Sequence, residues 1–565
     1  MTTISVGQAI VEVLKAEGVE CMFGMPGGHT IGVYDALYHT PQIRHILVRH
    51  EYHAATMAAG YAQLTGRPGI CCVTAGPGAT NLITGITEAF VGATPIVVIA
   101  GRGPTRNAHR GASQEIDQVQ MFRPITKWAV RVDRPDLVVE VLRQAFTYAR
   151  SGKPGPVLVD VPIDIGAAQV EFHPYVPAGA PLRARGDADQ IRRAAKALLR
   201  AERPLIVAGG GVIASGAAEE VRKLAEWLAI PVITTLSGRG ALSDDHPLAA
   251  GGLGHHRQAI TKALLPAADV VIGFGCRFEQ QETNWKPDYL PGPQATYIQV
   301  DADPNEIGRS VVSTIGILGD ARAVLEDLLR SLDEERARRA DFLRHPRTRA
   351  LARARAALEA EVEAMAASTQ VPLHPMRVLR RIRAAFPRDS TIAIDVGVLA
   401  QGMGGAFPYF KIFDPRTTIV PSSFYGMGFA SSALPAAKLA RPGHPAVGLV
   451  GDGSFGLIMN VLPTAVEFKL PVTWCILNDN ALGSIWDIQR QAYGGRYMAT
   501  EFGYQPDFAA IARACDCHGE NVDDPDGIDA ALRRALEANA SGRPAVLNFS
   551  VAKERLEASV EFFKR

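Results

Sequence analysis

Short, almost wholly apolar runs recur along the chain, and the segments between them carry apolar residues at helical spacing. Near the start, runs at 19–24, 43–48, 69–74 and 95–100 alternate with helical patterns at 6–18, 30–37 and 54–64, and a further run closes the set at 153–162. A Pro- and Ala-rich stretch, about 166–187, reads as a linker. A second set follows at 204–208, 232–235, 269–275 and 295–301, and a third at 391–397, 446–450, 471–477 and 544–549. Runs without polar alternation suit strands buried on both faces, and strand–helix alternation demands a parallel sheet with helices on either side. The pattern therefore predicts an α/β protein of three doubly wound parallel-sheet domains, spanning 1–170, 188–335 and 370–555. Residues 333–367, rich in Arg, Ala and Glu, read as one solvated linker helix.

The polar residues at the strand ends carry the chemistry. The run Ala446-Val447-Gly448-Leu449-Val450 opens into Gly451-Asp452-Gly453-Ser454, a tight turn with one carboxylate. The next run ends in Asn478-Asp479-Asn480, 27 residues on from Asp452 to Asp479. Parallel neighbours place both ends on one edge of the sheet, where such folds take ligands. Two hard oxygen donors there suit Mg²⁺, which prefers a few carboxylates with phosphate oxygens and water. The glycines allow close backbone approach to an anion, and the N–H groups of the turn and helix start face its charge. A lone GDG would read as a structural turn; its partner cluster argues for a Mg²⁺-bridged diphosphate.

Composition narrows the field. In 565 residues, 59 Lys and Arg stand against 58 Asp and Glu, a net charge of +1, which calls for neither nucleic acid nor an anionic membrane as partner. No apolar run approaches a membrane span, and the first residues lack a signal-peptide pattern. Seven scattered cysteines are expected to be reduced thiols of a cytoplasmic protein. Cys515-Asp516-Cys517-His518 lacks the second pair that a zinc site needs.

The GDG turn and its paired polar residues resemble the diphosphate-binding motif of thiamine diphosphate enzymes, acetolactate synthase-like branch. Arg49-His50-Glu51 before an alanine-rich helix, then Gly76-Pro77-Gly78-Ala79-Thr80-Asn81, resembles the same branch. The resemblance implies thiamine diphosphate and Mg²⁺ as cofactors, with pyrimidine-binding, central and diphosphate-binding domains in that order. It implies metal ligation by Asp452, Asp479 and the carbonyl of Ala481, although the usual pair is Asn-Asn and this chain has Asn478-Asp479. Glu51, which alone reads as a helix-start carboxylate, would hold the cofactor's aminopyrimidine ring and promote loss of its reactive proton. Pro26, Asn81, Val396, Gly397, Gly453, Ser454, Leu482 and Gly483 would contact the cofactor. Met427 would wedge it into a bent shape while the carbonyl of Tyr425 accepts from its amine. His29 and Gln114 match positions near substrate in benzaldehyde lyase-like and acetolactate synthase-like enzymes, and Lys127 lies in a similar segment.

The central domain matches one that binds FAD in the acetolactate synthase group and is a bare scaffold or an ADP site elsewhere. The chain keeps Gly209-Gly210-Gly211, Leu253-Gly254-His255 and Arg277-Phe278, but departs at Glu279-Gln280-Gln281. FAD therefore stays a candidate. Positions 209–214 fit a dinucleotide fingerprint, but the next strand ends in Thr234-Thr235 without the acidic residue an NAD site uses. Simple pyruvate decarboxylases carry a His-His pair in the loop that is here 76–81, and a glutamate where this chain has Ile485; both are missing. That favours carboligation after decarboxylation of a 2-oxo acid. The alternative is a lyase acting on 2-hydroxyketones or a 2-hydroxyacyl-CoA, and a non-catalytic binding subunit is a third reading. The family places its active sites between subunits, which implies a homodimer or homotetramer.

Overall fold

The computed structural model describes residues 2–254 and 259–555. Three six-stranded sheets, parallel throughout, carry the chain, as the hydrophobic pattern predicts. The first runs in space Arg44–Leu47, Cys21–Met25, Gly69–Val73, Ile96–Arg102, Pro156–Pro162, Trp128–Arg131. Counted along the sequence, that is second, first, third, fourth, sixth, fifth. The last sheet repeats this order with Thr418–Ile419, Thr391–Ile394, Ala446–Gly451, Thr473–Asn478, Ala545–Ser550, His518–Val522. The middle sheet differs: Ala249–Gly252, Val232–Thr234, Pro204–Ala208, Val270–Phe274, Thr296–Asp301, Ile315–Leu318, the third–second–first–fourth–fifth–sixth order of dinucleotide-binding folds.

The central strands are apolar because both faces are covered. Ile70, Cys71, Cys72 and Val73 are all at or below 1% exposure. The helix Glu51–Thr65 is buried almost all round, and its small residues let it lie against the segment Phe429–Ala433 of the last sheet's domain. A Cβ at Gly60 would stand 2.9 Å from that of Ala433. Ala58, Phe429, Ala433 and Trp474 thus belong to one core shared by the first and last sheets. Gly66, in the left-handed region at φ 72°, ends the helix.

Several sequence expectations need correction. The stretch predicted as a linker from 166 contains the strand Gln169–Phe172, which pairs antiparallel with Thr2–Ser5. The run at 153–162 does close the sequence of strands, but in space Trp128–Arg131, which the pattern did not pick out, lies outside it. Residues 333–367 are not one helix: Ala321–Glu334 ends and Pro346–Ala366 begins separately. Nor is the second helix merely solvated. Arg347 donates to the carbonyls of Leu228 and Ala229 at the end of the helix Ala218–Leu228, and Arg355 to those of Asp244 and His246 in a loop of the middle domain. All described cysteines are free. No described helix is long and apolar enough to cross a membrane.

Candidate active site

In the last sheet, the ends of the first four strands converge on one cavity of about 920 Å³. Its wall includes Val396, Gly397, Tyr425, Met427, Asp452, Gly453, Ser454, Asp479, Ala481, Leu482 and Gly483. The structure therefore brings together every residue predicted for this domain. Each sits where its strand hands over to a loop or helix. Asp452 is the first residue of the helix Asp452–Ile458, and Asp479 directly follows Thr473–Asn478. Tyr425 takes φ +59°, which aims the loop so that the Met427 methyl lies 3.6 Å from where a Cβ on Gly453 would be. Leu482 crowds that same position at 2.9 Å, so a side chain at 453 would fill the cradle. The middle domain closes the cavity with Glu279, Gln280, Gln281 and Trp285.

The two carboxylates are strained electrostatically. Asp452 is 2% and Asp479 7% exposed. Burial, then the neighbouring Asp479 charge, pushes the Asp452 carboxyl up to about 7. Burial likewise raises Asp479, against the pull of Arg555. Gln505 donates to Asp452, and Arg555 pairs with Asp479 at 2.8 Å. A buried like-charge pair on a cavity wall suits a divalent cation, whose charge would relieve both, and the donor set is the oxygen chemistry Mg²⁺ prefers. Among the described residues no cluster of three or more His, Cys, Asp or Glu competes as a metal site.

The first sheet's strand ends form a separate cluster. Glu51 begins its helix, capped by the ring of His50, which accepts from the Tyr52 amide. Glu51 accepts from the Asn81 amide at 2.9 Å, and a Cβ on Gly78 would lie 3.6 Å from its carboxylate. His29 meets Thr74 Oγ1 at 3.3 Å. Gly76 holds φ +60° beneath Gln114, whose own φ is +62° and whose Cβ would be 2.9 Å from a Cβ there. Pro26 and Gln114 are exposed. None of Pro26, His29, Glu51, Asn81 or Gln114 lines the large cavity. Lys127 turns away, donating to the carbonyls of Tyr148 and Ser151.

Sequence reasoning missed the groups that brace these loops. Asp395, fully buried, accepts from the amides of Val396, Gly428 and Ser431. Glu88, 1% exposed, accepts from those of Ser422 and Gly426. Burial raises both carboxyls. Tyr52 donates to the carbonyl of Met427 at 3.2 Å. Glu88 and Tyr52 belong to the first sheet's domain yet shape a loop of the last; nothing local in the sequence signals that. The unusual carboxylate at 479 was the one available hint of a cation such as Arg555 nearby.

The middle sheet has its own crevice, about 570 Å³, at its switch point, lined by Gly210, Gly211, Ser237, Arg277 and Asp301 among others. Of the pieces matched to a flavin domain, Gly210, Gly211 and Arg277 line it, and Gly209, Leu253 and Gly254 do not. Phe278 is instead packed in the core against Tyr297, and His255 lies outside the described residues.

Two sheets of one strand order, one bearing a buried carboxylate pair on a large cavity and the other the buried Glu51 carboxylate at a helix start, define a cofactor-binding α/β enzyme. Comparison with known proteins specifies it. The chain belongs to the thiamine pyrophosphate enzymes: residues 4–121 match the model of their N-terminal TPP binding domain, 191–328 the central domain and 401–549 the C-terminal TPP binding domain. It is 36% identical over 544 residues to a probable acetolactate synthase large subunit of Methanocaldococcus jannaschii, covering 94% of this chain and 90% of that protein. To the large subunit of acetolactate synthase isozyme 3 of Escherichia coli it is 34% identical over 559 residues, 98% of this chain and 95% of that one. The large subunit of Corynebacterium glutamicum acetolactate synthase is 33% identical over 581 residues, 97% and 87% of the two chains. The resemblance to the acetolactate synthase-like branch thus extends over nearly the whole chain.

Proposed function

We propose that this protein is a Mg²⁺- and thiamine diphosphate-dependent carboligase that decarboxylates a 2-oxo acid and joins the remaining fragment to a carbonyl acceptor. The observation that carries this reading is the buried pair Asp452 and Asp479 on the 920 Å³ cavity, in a chain whose relatives are named acetolactate synthases. Asp452, Asp479 and the Ala481 carbonyl would hold the metal; Gly453 and Ser454, with Val396, Gly397, Leu482 and Gly483, would receive the diphosphate. When bound, the cofactor supplies a carbon nucleophile and an electron sink for loss of CO₂.

The chain's own groups do the rest. Met427 and Tyr425 shape the floor on which the cofactor bends, held from behind by Glu88 and Tyr52. Glu51, oriented by Asn81, would accept and return a proton at the pyrimidine ring. Since Glu51 does not line its own chain's cavity, a second copy would bring it there, in a homodimer or a larger assembly. The relatives named large subunits suggest a small-subunit partner as well. Around Glu51, the loop 76–81 offers no histidine to protonate a cofactor-bound fragment and release it as an aldehyde. His29 and Gln114 would face the acceptor instead. The middle crevice would take a nucleotide diphosphate, FAD being the tested case: a flavin absorbance band in purified protein answers that question.

The test is to incubate the Mg²⁺- and cofactor-loaded enzyme with a panel of 2-oxo acids, trapping CO₂ and identifying products by mass spectrometry. CO₂ release with a ligated hydroxyketone product is expected. No CO₂ from any member, with cleavage of 2-hydroxyketones instead, would replace this reading by the lyase one.

A further inference from the structure

The end of the described chain returns to the cavity. Beyond the strand Ala545–Ser550, Lys553 and Arg555 pass beside the helix Gly483–Ala492. Arg555 Nη2 lies 2.8 Å from Asp479 Oδ2, with the two side chains 3% and 4% exposed. The guanidinium carbon is 5.3 Å from the ring centre of Trp486, and Lys553 Nζ is 5.6 Å from the same ring while pairing with Glu501 at 2.8 Å. Arg555 Nη1 donates to the carbonyl of Glu554. Asp479 and Gly483 line the cavity and Arg555 does not, although a Cβ at 483 would stand 3.0 Å from its Nη2. The guanidinium therefore pairs with the carboxylate without itself lining the cavity.

A buried carboxylate needs a counter-charge, and a buried pair is costly to break by removing one member. Two carboxylates and one Mg²⁺ sum to zero charge, which offers nothing to an anionic diphosphate. A guanidinium paired with one carboxylate makes the site net positive. It also engages one oxygen of Asp479 in a charge-assisted bond, leaving the other for the cation.

We propose that Arg555 is a positioning residue of the cofactor site, which cancels the charge of Asp479 so that the metal–diphosphate meets the equivalent of one carboxylate. The inference rests on the assignment of Asp452 and Asp479 to the metal. It makes position 479 and the tail arginine a matched pair: an uncharged amide at 479 would require no arginine.

The test is a titration of metal-depleted protein with thiamine diphosphate at fixed Mg²⁺, read by tryptophan fluorescence, for the wild type, Arg555→Gln, and Asp479→Asn with Arg555→Gln together. The single variant is expected to bind at least about tenfold more weakly, and the double variant to return to within about threefold of the wild type. A tail that serves only as an anchor predicts no such rescue. Wild-type affinity in Arg555→Gln, or a double variant no better than the single, overturns the proposal. Should the single variant fail to fold by circular dichroism, the double variant decides alone: folded with near wild-type affinity supports the proposal, and anything less overturns it. A wild type that shows no Mg²⁺-dependent binding sinks the assignment of the metal site instead.

Discussion

The first and last sheets share one strand order and load the corresponding strand ends differently. After the first strand stand Pro26 and His29 in one, Val396 and Gly397 in the other. After the second come Glu51 and then Tyr425 with Met427. After the third come 76–81 and then Gly451-Asp452-Gly453-Ser454. Beyond the fourth stand Gln114 and then Asp479 to Gly483. The last sheet's strand ends bring two carboxylates to a cavity; the first sheet's present Glu51 tied to the amide of Asn81. Under the proposed function one scaffold would yield a binding half and a proton-handling half, because function on doubly wound sheets resides in the loops at the carboxyl ends.

Substitutions can break this division of labour. Glu51→Gln is expected to cost about 10²–10⁴ in turnover while cofactor affinity, measured by calorimetry, changes only a few-fold. An equal loss in both would make Glu51 a binding residue and erase the contrast. Asp452→Asn tests the other half: cofactor affinity at fixed Mg²⁺ should fall about 100-fold, with the loss partly recovered by raising Mg²⁺. Wild-type affinity at the same Mg²⁺, or a loss that extra Mg²⁺ does not recover, would place the cation elsewhere.

Two further changes probe the contact between the halves. Glu88→Gln leaves one side-chain oxygen for two buried amides, so the loop carrying Tyr425 and Met427 should loosen and cofactor affinity drop about tenfold, with little change in turnover at saturation. The last prediction concerns pH and stability rather than the cofactor. His53 contacts Ser432 and Asn460 across the shared core, and burial holds its imidazole down to about 4. As pH falls from about 6.5 towards 4, the unfolded chain takes up the proton and the folded chain does not. Stability is therefore lost on acidification, by up to about 3 kcal/mol, with no further loss from this group below 4. Urea unfolding at two pH values should show a shallower slope in His53→Gln; an unchanged slope would remove His53 from the account.

Much of the cavity wall was legible because its residues are placed locally. A strand end delivers its residue to the sheet edge whatever the rest of the chain does, so Asp452, Gly453 and Asp479 could be grouped from the sequence, while Met427 came from the resemblance alone. Elements failed to be legible where tertiary packing overrode pattern. The weakly alternating Trp128–Arg131 and His518–Val522 are edge strands, and Gln169–Phe172 exists only because Thr2–Ser5 lies beside it. The break between Ala321–Glu334 and Pro346–Ala366 was hidden by a run of helix-favouring residues.

What the sequence determined by itself was the three-sheet plan and the placing of two carboxylates at neighbouring strand ends, since burial on both faces and residue type at a strand end are properties of single segments. Only the tertiary structure decided which charges face one another. Glu88 and Tyr52 brace a loop more than 300 positions away, and Arg555 closes on Asp479 from the far end of the described chain. Such pairings follow from how the sheets pack, and no local pattern encodes them.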